Sequence, residues 1–218
     1  MELLAIRTAR LLTFFSTAEL NPRGLSLVHT VVPALVERFQ FLKYPQKAED
    51  FDDTNGVKFE GGTWNSLEAN LVIFTNGIMV DTRSSTSDCE KMLQETLEWA
   101  QQAFGMIYRP EMLSRKAYLS ELEIKCDIPL DAINPRLKDF STKISERVHQ
   151  FTGQALSFTT TAIWINFDSS FAKGPSGPFR VERLVDAPFA ENRYYSSAPL
   201  PTETHLFYLE EFESILSR

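Results

Sequence analysis

Arg180, Arg183 and Arg193, with Tyr194 and Tyr195, are the densest group of residues suited to chemistry in this chain. Guanidinium forks match planar oxyanions, so strands that brought these five together would make a small anion or partner site. Glu182, Asp186 and Glu191 interleave with them. The same pattern therefore also reads as exposed ion pairs. Cys89 stands near the start of an expected helix, where the dipole lowers a thiol pKa. Asp88 and Glu90 flank it and oppose the thiolate. Cys126 falls in an apolar strand register and reads as core. Asp50, Asp52 and Asp53 could gather a cation, but they lack the glycine and closing glutamate of a calcium loop. His29, His149 and His205 have no histidine partner at helical spacing and no glutamate-flanked zinc motif. The loop Gly174-Pro-Ser-Gly-Pro178 lacks the Lys-Ser/Thr ending of a phosphate loop. These residues lead to no expected catalytic residue, metal ligand or cofactor.

Composition narrows the function classes. The 218 residues suffice for one large domain or two small ones. Phe is abundant, with 17 residues, and Gly scarce, with 9, which favours packed aromatic cores over ligand-cradling loops. The net charge of −7 argues against a generic nucleic-acid binder and against an anionic membrane surface. Glu2, Arg7 and Arg10 interrupt the apolar opening segment, so no signal peptide is expected. No run is long enough for a membrane span. Two cysteines at this separation suggest reduced thiols and a cytoplasmic location.

The elements that must position these residues come in two similar series. Residues 3–15 read as a strand. Asn21-Pro-Arg-Gly24 is turn chemistry, and residues 25–32 are ambiguous. Pro33 then suits the first turn of a helix carrying Leu35, Phe39 and Leu42 on one face, stopped by Pro45. Residues 46–56 read as a loop and residues 57–60 as a short strand ending at Gly61-Gly62. Leu67, Ala69, Leu71 and Ile73 alternate with Glu68, Asn70, Val72 and Phe74. Asn76-Gly77 suggests a type I′ turn into a returning strand. Ser87 with Glu90 fits a capping box, and Gly105 a helix stop, around Met92, Leu93, Leu97 and Ala100.

The second series opens at residues 116–126, with Tyr118, Leu122, Ile124 and Cys126 on one face and Glu121, Glu123 and Lys125 on the other. Asn134-Pro135 starts a helix bearing Leu137, Phe140, Ile144 and Val148, which Gly153 ends. Residues 155–167 read as a long strand, followed by strands near 179–185 and 193–197. A last helix turns Leu206, Leu209, Phe212 and Leu216 inward. Pro-x-Leu recurs at Pro33 and Pro135, at matching helix starts.

The expected fold is therefore α+β: pseudo-duplicated β-α-β(3-4)-α units, residues 1–109 and 110–218, forming a curved antiparallel sheet with helices on one face. Two ferredoxin-like units are the alternative architecture. The repeated order resembles the duplicated fold of the TATA-box-binding protein, over nearly the whole chain. The segment Phe74-Thr-Asn-Gly-Ile-Met-Val-Asp-Thr-Arg-Ser-Ser-Thr86 is similar to segments in uncharacterised bacterial proteins and implies no activity.

The expected function is a non-catalytic protein-binding or assembly module, with a protein partner or a second copy as the bound species. Val72, Phe74, Glu121 and Glu123 form its expected docking face. No cofactor, nucleic acid or membrane is expected. The alternatives are an enzyme with a site between the halves and a nucleic-acid binder of the TATA-box type.

Overall fold

The computed structural model describes residues 1–24, 28–52, 54–168, 170 and 177–216. In chain order the elements are β1 (Glu2–Phe14), α1 (Val28–Phe39), β2 (Val57–Trp64), β3 (Leu67–Phe74), β4 (Gly77–Thr82), α2 (Thr86–Phe104), β5 (Lys116–Lys125), α3 (Pro135–Thr152), β6 (Ala162–Ile165), β7 (Phe179–Arg183), β8 (Arg193–Ala198) and α4 (Thr202–Leu216). The fold is α+β, with an antiparallel eight-stranded sheet in the order β2-β3-β4-β1-β5-β8-β7-β6. The β-α-β-β-β-α series thus runs twice, and each half orders its strands alike. Contacts divide the chain into an N-terminal unit, Ile6–Ser120 with Pro199–Thr202, and a C-terminal unit, Met1–Ala5, Glu121–Ala198 and Glu203–Arg218.

In the N-terminal unit, pairing registers sort the side chains. Leu11, Val80 and Leu71 lie side by side on one face, as do Ala9, Thr82 and Ala69. Opposite partners share a face and neighbours alternate, so the other face receives Arg10, Asp81 and Asn70, then Leu12, Met79 and Val72. On that face Arg10 grips Asp81 through two bonds of 2.6 and 2.7 Å. The buried face meets α2, which contributes Cys89, Met92, Leu93 and Leu97. Phe39, Phe41 and Phe59 continue the core, with centroids 5.7 and 5.3 Å apart.

Turns and ends depart from the sequence-based expectation in instructive ways. Phe74 pairs with Gly77, so the β3–β4 loop is Thr75-Asn76, and Gly77 is a strand residue without positive φ. The turn with two positive φ angles, the type I′ signature, lies one hairpin earlier. Asn65 and Ser66, at +47° and +66°, join Trp64 to Leu67. β2 does not end at Gly61-Gly62. It continues to Trp64 through a bulge in which Gly61 takes φ +67°. Pro33 is not at a helix start but is the sixth residue of α1. It cannot donate to the His29 carbonyl one turn back. α1 ends at Phe39, with Gln40 left-handed at φ 54°, which leaves Leu42 81% exposed.

The N-cap of α2 is Ser85, two residues before the expected one, and its hydroxyl accepts from Asp88 N–H at 3.1 Å. Gly105 is the left-handed C-cap, as its position suggested. Thr86 and Thr202, the first residues of α2 and α4, cap each other. Each backbone N–H donates to the other's hydroxyl, at 3.1 and 2.9 Å.

The C-terminal unit builds its core from Leu122 and Ile124 of β5, Val181 of β7, Tyr194 of β8 and Leu209, Phe212 and Leu216 of α4. α3 starts with Asn134 accepting from Arg136 N–H, carries Pro135 in its first turn and ends at Gly153 with φ +70°. Its apolar stripe, however, is not in the core. No residue of α3 is buried. The long strand expected over 155–167 reduces to β6, which lies at the end of the strand order and pairs with β7.

Candidate functional site

β6, β7 and β8 carry a ladder of aromatic and charged side chains on one face of the C-terminal unit. The register sets Trp164 opposite Arg180 and Tyr195 opposite Glu182. The Arg180 guanidinium lies 5.7 Å from the Trp164 ring centroid and 4.8 Å from that of Tyr195. It donates to the Tyr195 oxygen at 3.1 Å, and Tyr195 O–H donates to Glu121 of β5. Burial and this bond to Glu121 raise the Tyr195 pKa. Arg193, on the same face, pairs with Glu123 and lies 3.6 Å from Glu191.

Arg183 and Tyr194 point to the opposite face, because alternation separates them from Tyr195 and Arg193. The Arg183 guanidinium lies over the rings of Phe189 and Tyr194, at 4.5 and 5.3 Å, and donates to the Phe189 carbonyl at 2.8 Å. Tyr194 is fully buried, and its oxygen accepts from Leu130 N–H at 3.2 Å. The five residues of the expected anion site are therefore divided between two faces. On the free face, carboxylates occupy the positions an anion would take.

The expected docking residues fare unevenly. Val72 and Phe74 share one face of β3, as alternation required, but Val72 is only 7% exposed. The Gly56 backbone sits so close that a Cβ added there would come within 2.7 Å of both side chains. Glu123 is 3% exposed under its ion pair. Burial thus removes Val72 and Glu123 from any open face, whereas Phe74 and Glu121 are half-buried.

A different surface of the C-terminal unit is open and apolar. Leu137, Phe140, Ile144, Val148 and Phe151 recur at helical spacing along α3. Phe140 and Phe151 are 59% and 77% exposed. Leu156 and Phe158 follow, also exposed. On β6, Ile165 shares its face with buried Val181 and Tyr194 yet is 60% exposed. The stripe on α3 was visible in the sequence. That its two ends stay exposed, with Ile144 and Val148 only half-buried between them, was not, because periodicity reports a face and not its partner.

The remaining candidates are structural. Cys89 is fully buried, 3.2 Å from the Ala9 carbonyl, and burial pushes its thiol up to about 11. Burial likewise raises Cys126, to about 12. His205 is fully buried, 2.8 Å from the Ser196 hydroxyl, and burial lowers its pKa to about 4. His29 and His149 are exposed. Asp50 accepts from the backbone of Gln46 and Lys47, and Asp52 from Thr54 and Asn55, so each carboxylate closes its own turn. Asp53 and residues 173–176 of the Gly-Pro loop lie outside the described residues. Among the described residues no group of three His, Cys, Asp or Glu is arranged to hold a metal ion, and no helix is long and apolar enough to cross a membrane. No protein-family model matches the chain, and no curated protein matches it in sequence.

Proposed function

We propose that the chain is a non-catalytic assembly module whose C-terminal unit docks a second copy of the chain. The observation that carries this reading is α3, an amphipathic helix with no buried residue. A helix of this kind gains most of its stability by burying its apolar face, so an unburied stripe calls for a partner. By contrast α1, at the same place in the first series, buries Leu35 and Phe39.

Charge selects the partner. α3 carries Arg136, Lys138, Lys143 and Arg147 against Asp139 and Glu146. α4 carries Glu203, Glu210, Glu211 and Glu213 with no Lys or Arg, and exposes Phe207, Tyr208 and Ile215. The basic apolar helix of one copy complements the acidic apolar helix of another. Reciprocal seating, α3 of each on α4 of the other, closes as a two-fold dimer. Two buried thiols outside any disulfide fit a cytoplasmic setting. The repeated element order and the reciprocal Thr86–Thr202 caps support an internal duplication of the TATA-box-binding-protein type.

Sedimentation velocity across a concentration series tests the assembly. The expected result is reversible, salt-sensitive self-association. It should be lost in a double variant, Phe140→Glu with Phe151→Glu, whose far-UV circular dichroism is unchanged. A wild-type chain that stays monomeric up to its solubility limit would overturn the reading.

A further inference from the structure

We infer that the N-terminal unit holds a binding site for a small amphiphile, an alkyl chain with an uncharged polar head. Between α1, α2 and the sheet lies a cavity of about 280 Å³. Val31, Val32 and Leu35 of α1 form one wall, and Leu97, Trp99 and Ala100 of α2 another. It is not a sealed void but opens to the surface. An apolar cavity of about 150 Å³ stays dry and accepts benzene. This one is larger, and its walls are almost wholly apolar.

Its polar lining residues among those described are Thr17, Asn21 and Thr96, and both hydroxyls are already committed. Thr96 O–H donates to the Met92 carbonyl at 2.6 Å, and Thr17 O–H to the Phe74 carbonyl at 2.9 Å. Among the described residues no charged side chain lines the cavity. A water molecule held against the apolar walls would find few partners, whereas an alkyl chain needs none. The space therefore suits hydrocarbon and rejects a charged or hydrogen-bonding terminus.

The polar end has a route out. Val28, Val32 and Phe51 also border an adjoining groove that contains His29, Glu37, Tyr44 and Gln46. A ligand with its chain in the cavity can lay a hydroxyl or ester among these side chains. The cover over the chain is α1, the less firmly held of the unit's two helices. It buries two residues where α2 buries seven, and Pro33 removes a rung of its hydrogen-bond ladder.

Titration calorimetry with octan-1-ol as the probe tests the site, with octane-1,8-diol as the length-matched control. The expected result is saturable octanol binding, with the diol at least tenfold weaker because its second hydroxyl would be buried unpaired. Ala100→Leu places extra carbons in the cavity and should weaken octanol at least tenfold without loss of helical signal. Val31→Met fills the opposite wall and serves the same purpose if Ala100→Leu fails to fold. Absence of saturable octanol binding by the wild-type chain would overturn the proposal. So would equal affinity for octanol and the diol, or undiminished binding by a folded cavity-filled variant.

Discussion

Gly77 owes its identity to a neighbouring backbone and not to its own conformation. Its φ is not positive, yet a Cβ built there would run into the Thr13 carbonyl oxygen. Gly77→Val should therefore cost about 1–3 kcal/mol through overpacking against a rigid strand. Equilibrium denaturation measures it, and an unchanged midpoint with unchanged slope would refute the close approach. The sequence marks this glycine through its Asn-Gly pair, but the reason lies on β1, 64 positions away in chain order, counted from Thr13 to Gly77. His205 is a second single-residue case. Its folded pKa is lowered, to about 4 from an ordinary 6.5, because burial disfavours the imidazolium. Above pH 6.5 the group is neutral in both states. As the pH falls below 6.5 the unfolded chain takes up a proton that the folded chain refuses, and stability drops until the pH reaches about 4. The loss attributable to this group is about 3 kcal/mol. Denaturation midpoints followed from pH 7 to pH 4 should show it, and His205→Gln should flatten that part of the profile. Nothing in the local sequence distinguishes His205 from exposed His149. Burial against Ser196 and Phe179, which are distant in sequence, makes the difference.

Elements with a long, strong period were legible, and those decided by their neighbours were not. α2 and β3 follow their apolar spacing, and Asn134, Pro135, Gly105 and Gly153 cap helices where their chemistry predicts. β6 shows the limit. Residues 155–167 are rich in β-forming side chains, but β7 offers only the five residues Phe179–Arg183 as a partner, and four residues of β6 pair with it. Propensity cannot lengthen a strand beyond what its partner supplies. The Asn65-Ser66 turn has a weak sequence signal because Ser is not the residue its geometry favours. A non-glycine in the left-handed region costs about 1 kcal/mol. Ser66→Gly should recover part of that, and thermal denaturation should show a small rise in Tm. If stability falls instead, the turn is not type I′ in solution. Pro33 is the larger anomaly, a helix-interior proline in a helix that buries only two residues. Pro33→Ala should stabilise the N-terminal unit by about 1 kcal/mol or more by restoring the bond to His29. Slower amide exchange across Val28–Phe39 is the accompanying signature, and exchange left unchanged would count against that account.

At the scale of the whole molecule, charge is expected to set how it meets nucleic acid. The proposed TATA-box-type architecture raises that possibility, but fold alone carries no function. Affinity for duplex DNA rests on cations that release counterions from phosphates. Here the net charge is −7, and several cations on or beside the strands are matched with carboxylates. Arg10 is tied to Asp81, Arg193 to Glu123 and Glu191, Arg83 to Glu68 and Lys43 to Glu60. Arg180 is enclosed by Trp164 and Tyr195, with Glu182 3.9 Å away. Approach of a phosphate would repel these carboxylates before any guanidinium was released to it. Exposed Trp164, which on a basic face could stack on a base, instead stacks against an arginine that is already compensated. Electrophoretic mobility shift with duplex and single-stranded DNA at physiological salt should therefore show no complex. Neutralising the acidic side alone sharpens the test. Glu121→Gln combined with Glu182→Gln frees Arg180 and should introduce weak, salt-sensitive binding to single strands that the wild-type chain lacks. Salt-sensitive micromolar binding by the wild-type chain would show that its carboxylates do not shield the face and that charge pairing is not what keeps it from nucleic acid.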